Sequence, residues 1–187
     1  MSLRKTIEVI VKLAEQGGID RYAIAGAVAA LNYIQPTLTE DLDILVSATH
    51  FRERQSGLIL LAPIEDALAK MGYRERSGVG IMIEGWPVQF LPVGSPLDEE
   101  ALDRAVELEM DLTGQPPLKA RSLSAEHLVA ISVKLGRLKD LARVQAFLEQ
   151  QAVDLIALKD ILQRHELLGA WQNFCAKAGI EDPLKLT

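Results

Sequence analysis

Two carboxylates, Asp41 and Asp43, flank Leu42 in the run Thr39-Glu40-Asp41-Leu42-Asp43-Ile44-Leu45-Val46. Leu42, Ile44 and Val46 alternate with Asp41, Asp43 and Leu45, which is the period of a half-buried strand. Aspartate is depleted in strands. Two on one face stand roughly 7 Å apart at the Cα level, from a rise of about 3.3 Å per residue. Like charges that close repel unless a cation lies between them. A hard divalent ion suits such a pair. Mg²⁺ takes oxygen ligands and commonly binds through one or two carboxylates plus phosphates.

A second half of the pattern lies upstream. Tyr22-Ala23-Ile24-Ala25 reads as a short apolar strand, Gly26 breaks it, and Ala27 to Ile34 reads as a helix. A small-residue turn between strand and helix exposes the helix's first backbone N–H groups and the positive end of its dipole, and both attract phosphate. Gly26 and Ala27 are therefore candidate phosphate-binding positions. A phosphate cradle followed by a two-carboxylate strand suits a metal-bound nucleoside triphosphate. The competing reading is a turn glycine followed by two solvated carboxylates on an exposed edge strand.

Ala25-Gly26-Ala27 followed by Thr39-Glu40-Asp41-Leu42-Asp43-Ile44 resembles the signature of the nucleotidyltransferase superfamily related to DNA polymerase beta. The core of the match covers about residues 20–46. The Thr before the acidic pair, and Lys134-Leu135-Gly136-Arg137-Leu138-Lys139-Asp140 downstream, are similar to the small bacterial branch that includes the AbiEii-type toxins. The resemblance implies an α+β fold, a small mixed β-sheet flanked by helices, with a C-terminal helical lobe. It implies Mg²⁺, or Mn²⁺, held by Asp41 and Asp43, and transfer of a nucleoside monophosphate from a triphosphate to an acceptor with release of pyrophosphate. A tRNA end, a protein hydroxyl and a small molecule such as an aminoglycoside all stand open as that acceptor.

The chain departs from the pattern in two places. The family turn carries Gly-Gly or Gly-Ser, whereas here Gly26 is flanked by Ala25 and Ala27. Alanine is strained wherever φ must be positive, and it brings no hydroxyl to a phosphate. The family also places a third carboxylate on a later strand. The matching segment is Trp86 to Pro92, with Gln89 at that position. Glutamine offers a carbonyl oxygen to a metal but cannot act as a carboxylate base. Glu84, on the adjacent segment, is a candidate substitute. The alternative function is therefore a catalytically impaired nucleotide-binding module, or an interaction protein of the toxin–antitoxin kind.

The helical part supplies the cations. Lys134, Arg137, Lys139 and Arg143 form the densest basic cluster, and Leu128, Ile131, Leu135, Leu138 and Ala142 read as one apolar stripe beside it. Lys134, Arg137 and Lys139 are the candidate phosphate ligands. The plainer reading is a solvated helix face with local pairs to Asp140.

Composition sets the outer bounds. The chain has 187 residues, 49% hydrophobic and 25% charged, enough for one ample core or two small lobes. A net charge of −6 argues against a long nucleic-acid-binding surface. A single cysteine, Cys175, excludes an intramolecular disulfide and fits a reducing, cytoplasmic setting; it is expected to pack as a small apolar residue. No apolar run approaches the roughly 20 residues that span a bilayer. His50, His127 and His165 show no ligand spacing and are expected on the surface or in packing roles.

The remaining elements follow from periodicity and punctuation. Helices are expected over Leu3–Gln16, Pro63–Met71 and Leu97–Ala105, a loop or short helix over His50–Gly57, a hairpin of Gly78–Glu84 with Pro87–Leu91, and a strand over Glu107–Leu112. Gly114-Gln115-Pro116-Pro117 marks a shift in composition, placing an α/β lobe at 1–113 and a helical lobe at 114–187. In the latter, Ser124 and Asp154 are candidate N-caps, and helices are expected to Leu135, over Leu138–Gln150, to His165 and over Trp171–Ala178.

Overall fold

The structure, a computed structural model, describes residues 2–35, 39–47, 61–78, 80–110 and 116–185. The expected loop or short helix at His50–Gly57 lies outside the described residues, as do residues 36–38 and 111–115. The chain divides into two compact units, one of Met1–Asn32 with Thr37–Leu123 and one of Tyr33–Pro36 with Ser124–Thr187.

The first unit is a seven-stranded mixed sheet with helices. Its elements are α1 (Leu3–Glu15), β1 (Tyr22–Ile24), α2 (Gly26–Ala30), β2 (Leu42–Val46), α3 (Ala62–Lys70), β3 (Arg76–Ser77), β4 (Gly80–Ile83), β5 (Trp86–Pro92), α4 (Pro96–Asp103), β6 (Val106–Met110) and β7 (Leu118–Ser122). The strand order is β3-β4-β5-β2-β1-β7-β6, so β2 is the central strand. It pairs antiparallel with β1 and parallel with β5. This is the α+β architecture with a small mixed sheet that the family resemblance implies.

Local chemistry explains the elements that frame the sheet centre. Ser2 caps α1 by accepting the Lys5 N–H (3.3 Å), and the helix buries Ile7, Ile10 and Leu13. Buried Thr6 donates its hydroxyl to the Ile83 carbonyl (2.9 Å), fastening α1 to the end of β4. The β4–β5 turn is Glu84-Gly85, with φ of 51° and 86°; positive φ at both central residues matches the twist of a two-residue hairpin.

The sheet also corrects the domain boundary. Leu118–Ser122, expected in the helical lobe, forms β7, which pairs antiparallel with β6 and meets β1 in parallel at Ile24↔Ser122. The boundary therefore falls after Leu123 and not after residue 113.

The second unit holds α5 (Ala125–Leu135), α6 (Leu138–Glu149), α7 (Leu155–Arg164) and α8 (Leu168–Ala178). Ser124 and Asp154 cap α5 and α7 as their residue types suggest. Tyr33 packs its ring 6.1 Å from Phe147, and the Gln35 N–H bonds the Gln150 side chain (2.8 Å), which ties this short segment to α6. Cys175 is buried, and burial pushes its thiol pKa up. Buried His127 accepts or donates at Nδ1 to the Ser124 hydroxyl (2.9 Å), a packing role. No helix among the described residues is long and apolar enough to cross a membrane.

Candidate functional site

Asp43 is the exception along the central strand. Leu42, Ile44, Leu45 and Val46 are all buried, while Asp43 remains partly exposed. The edge-strand reading fails here, because β2 lies between β5 and β1. A carboxylate in the middle of a sheet, open to water while its neighbours are not, faces a gap in the covering layer.

The floor of that gap is the β1–α2 turn. The Ala25 N–H donates to the Asp43 carbonyl (2.9 Å), bringing the turn against β2. Gly26 has φ +60°, in the left-handed region that favours glycine. A Cβ built there would lie 3.1 Å from Asp43 Cγ and would collide with Oδ2, so the carboxylate occupies the space a side chain would fill. This resolves how the turn tolerates its alanines. Ala25 is extended (φ −126°, ψ −171°) and Ala27 lies within α2, so the positive φ falls on Gly26 alone. α2 itself has only five residues, against the helix expected to Ile34, so its dipole is short. Gly26 and Ala27 contribute their first-turn N–H groups, which have no partner within the helix.

Gln89 stands beside Asp43. In the parallel β2–β5 ladder the register pairs Asp43 with Gln89, Leu42 with Val88 and Ile44 with Phe90. Val88 and Phe90 are buried and Gln89 is partly exposed, so Asp43 and Gln89 share a sheet face. Glu84 does not substitute for the missing carboxylate. It sits in the β4–β5 turn, not on a strand, and its carboxylate accepts the Tyr73 hydroxyl proton (2.7 Å). Among the described residues no group of three or more His, Cys, Asp or Glu is arranged to hold a metal ion. In register at the sheet centre stand one carboxylate, Asp43, and one neutral amide, Gln89.

Asp41 is placed differently from Asp43. The alternation places Asp41 within the expected strand, but β2 begins at Leu42, so Asp41 lies just ahead of the ladder. The Thr39 hydroxyl lies 3.1 Å from the Asp41 carbonyl oxygen and 3.3 Å from its Oδ1. In the sequence Thr39 stands out only through the family resemblance. The available signal was its position, because a Thr hydroxyl readily bonds the chain two residues on.

The basic candidates lie in the second unit. Gly136, with φ 64°, ends α5 and breaks the stripe expected through Ala142. Leu135 and Leu138 are consequently 51% and 88% exposed, and Ala142 is exposed too. Of the expected stripe Leu128 is buried, and the inward faces are completed by Val129, Ala130 and Val133 of α5 and Val144 and Phe147 of α6. Arg137 bonds Asp140 through Nε (2.5 Å), and Arg143 approaches the same carboxylate (3.5 Å). Asp140 is only 1% exposed, so this is the local ion cluster anticipated around Asp140, drawn inward. Lys134 and Lys139 are exposed.

No family model matches the chain. No curated protein matches it either. Solved structures do. An antigenic nucleotidyltransferase-like protein from Paracoccidioides brasiliensis superposes with a TM-score of 0.56 at 18% identity, over 95% of this chain and 90% of that one. The solution structure of the antibiotic-resistance factor ANT(2'')-Ia superposes with a TM-score of 0.50 at 15% identity, over 92% and 96%. The chain is thus similar in fold to these two proteins over most of its length.

Proposed function

We propose that this protein binds a nucleoside triphosphate through a divalent cation held by Asp41 and Asp43 and transfers its nucleoside monophosphate to an acceptor. The single observation that supports this most is Asp43: a part-exposed carboxylate on the central strand, seated against a left-handed glycine turn. The fold neighbours are consistent with it. The donor set also suits Mg²⁺, since Asp41, Asp43 and the Gln89 carbonyl are all hard oxygen ligands. When bound, the cation would neutralise phosphate charge and polarise the reacting phosphorus.

The chain's own residues do the rest. Asp41 and Asp43 supply the negative oxygens, and the missing side chain at Gly26 lets Asp43 lie against the turn. The N–H groups of Gly26 and Ala27 orient phosphate oxygens. Gln89 adds a neutral oxygen beside Asp43.

A second reading is favoured by one observation. The position in register with Asp43 is an amide, and the nearest alternative, Glu84, is engaged by Tyr73. Among the described residues the site therefore lacks an evident base for the acceptor's proton, which supports nucleotide binding with slow or no turnover, as in an interaction or toxin–antitoxin role.

Thermal unfolding with and without ATP and Mg²⁺ tests both. A ligand at about 100 times its Kd adds roughly 2.7 kcal/mol of stability. Pyrophosphate release with candidate acceptors then separates transfer from binding. No shift with any of the four common nucleotides in the presence of Mg²⁺ would refute both readings.

A further inference from the structure

The two carboxylates of the site are held by different means. Asp43 is fixed by its ladder position between β1 and β5 and by contact with Gly26. Asp41 precedes the ladder, next to a bend at Glu40, so sheet pairing does not orient it. What reaches its side chain is the Thr39 hydroxyl, 3.3 Å from Oδ1 and 3.1 Å from the Asp41 carbonyl oxygen. The hydroxyl has one proton and can donate to either oxygen. Donated to Oδ1, it occupies one lone pair and leaves Oδ2 for a cation.

We infer that Thr39 is a positioning residue that orients the Asp41 carboxylate for divalent-cation binding. The inference rests on the proposed metal-binding role of Asp41. Its physical basis is the one that applies to groups behind metal ligands generally: a hydrogen bond to a ligating carboxylate removes alternative rotamers and raises affinity about 10-fold or more. The partly buried setting of Thr39 and Asp41 keeps the hydroxyl from being replaced freely by bulk water.

The test compares Thr39→Val, which keeps the shape and removes the hydroxyl, with Thr39→Ser, which keeps the hydroxyl. Mn²⁺ alone is titrated first, followed by relaxation of water protons, and then Mg²⁺ at fixed ATP. Thr39→Val is expected to weaken Mn²⁺ binding about 10-fold or more, with Thr39→Ser within about 2-fold of the parent chain. In an Asp41→Asn background, Thr39→Val should add nothing, because the two act through one group. The inference is overturned if Val binds Mn²⁺ like the parent, if Ser is as impaired as Val, or if the Val effect persists undiminished in the Asp41→Asn background. It is overturned outright if the parent chain binds no Mn²⁺. Mn²⁺ binding without ATP binding would sink the nucleotide reading while the Val and Ser contrast still judges Thr39.

Discussion

Asp43 and Asp140 are both aspartates among buried neighbours, and the structure treats them in opposite ways. Asp140 is 1% exposed on α6 and faces two guanidiniums, those of Arg137 and Arg143. Burying a carboxylate is costly, and here the cost is offset by opposite charge and hydrogen bonds on the same helix. Asp43 keeps access to water in the middle of β2, against a glycine and beside an amide. The lesson is that exposure and surroundings, more than position in the chain, separate a carboxylate that holds structure from one proposed to meet a ligand.

The sharpest way to break this comparison is to neutralise each group in turn. Asp140→Ala leaves the Arg143 guanidinium, 13% exposed, without its counter-charge. Breaking such a buried pair costs about 3–5 kcal/mol, and the lower end is expected because Arg137, at 57% exposed, can return to water. Asp43→Asn should cost less than about 1 kcal/mol in urea unfolding, yet abolish the stabilisation by ATP and Mg²⁺, roughly 2.7 kcal/mol at about 100 times Kd. Equal losses of stability in the two variants would erase the distinction.

Gly26 is the next point of attack. Gly26→Ala imposes strain at φ +60° and drives a Cβ into the Asp43 carboxylate. A cost of about 1–3 kcal/mol is expected from the backbone alone. Nucleotide-dependent stabilisation should fall as well, because Asp43 must move. A variant that unfolds earlier but responds fully to ATP and Mg²⁺ would show that the glycine serves only chain reversal.

How far the sequence reveals all this depends on the size of the signal. The strand–turn–helix at Gly26, the hairpin around Gly85 and the caps at Ser124 and Asp154 rest on local chemistry, and each appears where its residues point. The pairing of Gln89 with Asp43 was also legible, because Val88 and Phe90 had to turn into the core. β7 was not. Its sequence, Leu-Lys-Ala-Arg-Ser, buries Ala120 and Ser122, small or polar residues that carry no apolar alternation. The long stripe from Leu128 to Ala142 misled for a different reason: a helical period was carried across Gly136, whose left-handed φ starts a new helix axis. The hydroxyl of Thr39 is invisible to any periodicity argument, since its effect lies in a bond two residues away.

Gln89 lets the comparison be sharpened instead of broken. Gln89→Asp places a second negative group in register with Asp43. With no cation the two repel, and a loss of a few tenths of a kcal/mol, up to about 1, is expected, as for like charges directly opposite on neighbouring strands. With Mg²⁺ the sign reverses and ATP binds more tightly, and turnover rises if the rest of the site is intact. Mg²⁺ titration of ATP binding for both forms is the measurement. An unchanged or weaker affinity in the Asp variant would place Gln89 away from the cation.

The smallest effect concerns the carboxylate that the structure sets aside. Glu84 accepts the Tyr73 hydroxyl proton, and that bond, helped by burial, pushes the Tyr73 pKa up to about 12 from its ordinary 10.0. A raised tyrosine pKa means that the folded state favours the protonated phenol. The bond's contribution is therefore fully present below about pH 10, and it fades as pH rises toward about 12 and the phenol ionises in the folded state too. Tyr73→Phe should accordingly cost about 0.5–1 kcal/mol near neutral pH, the ordinary worth of one hydrogen bond at a partly exposed site, with the gap to the parent chain closing above about pH 10. It should leave ATP and Mg²⁺ binding unchanged, because Glu84 belongs to the hairpin turn and not to the row of Asp43 and Gln89. Were Glu84 a held-back third carboxylate, releasing it would tighten Mg²⁺-dependent ATP binding at neutral pH, and the two-carboxylate description of the site would have to be given up.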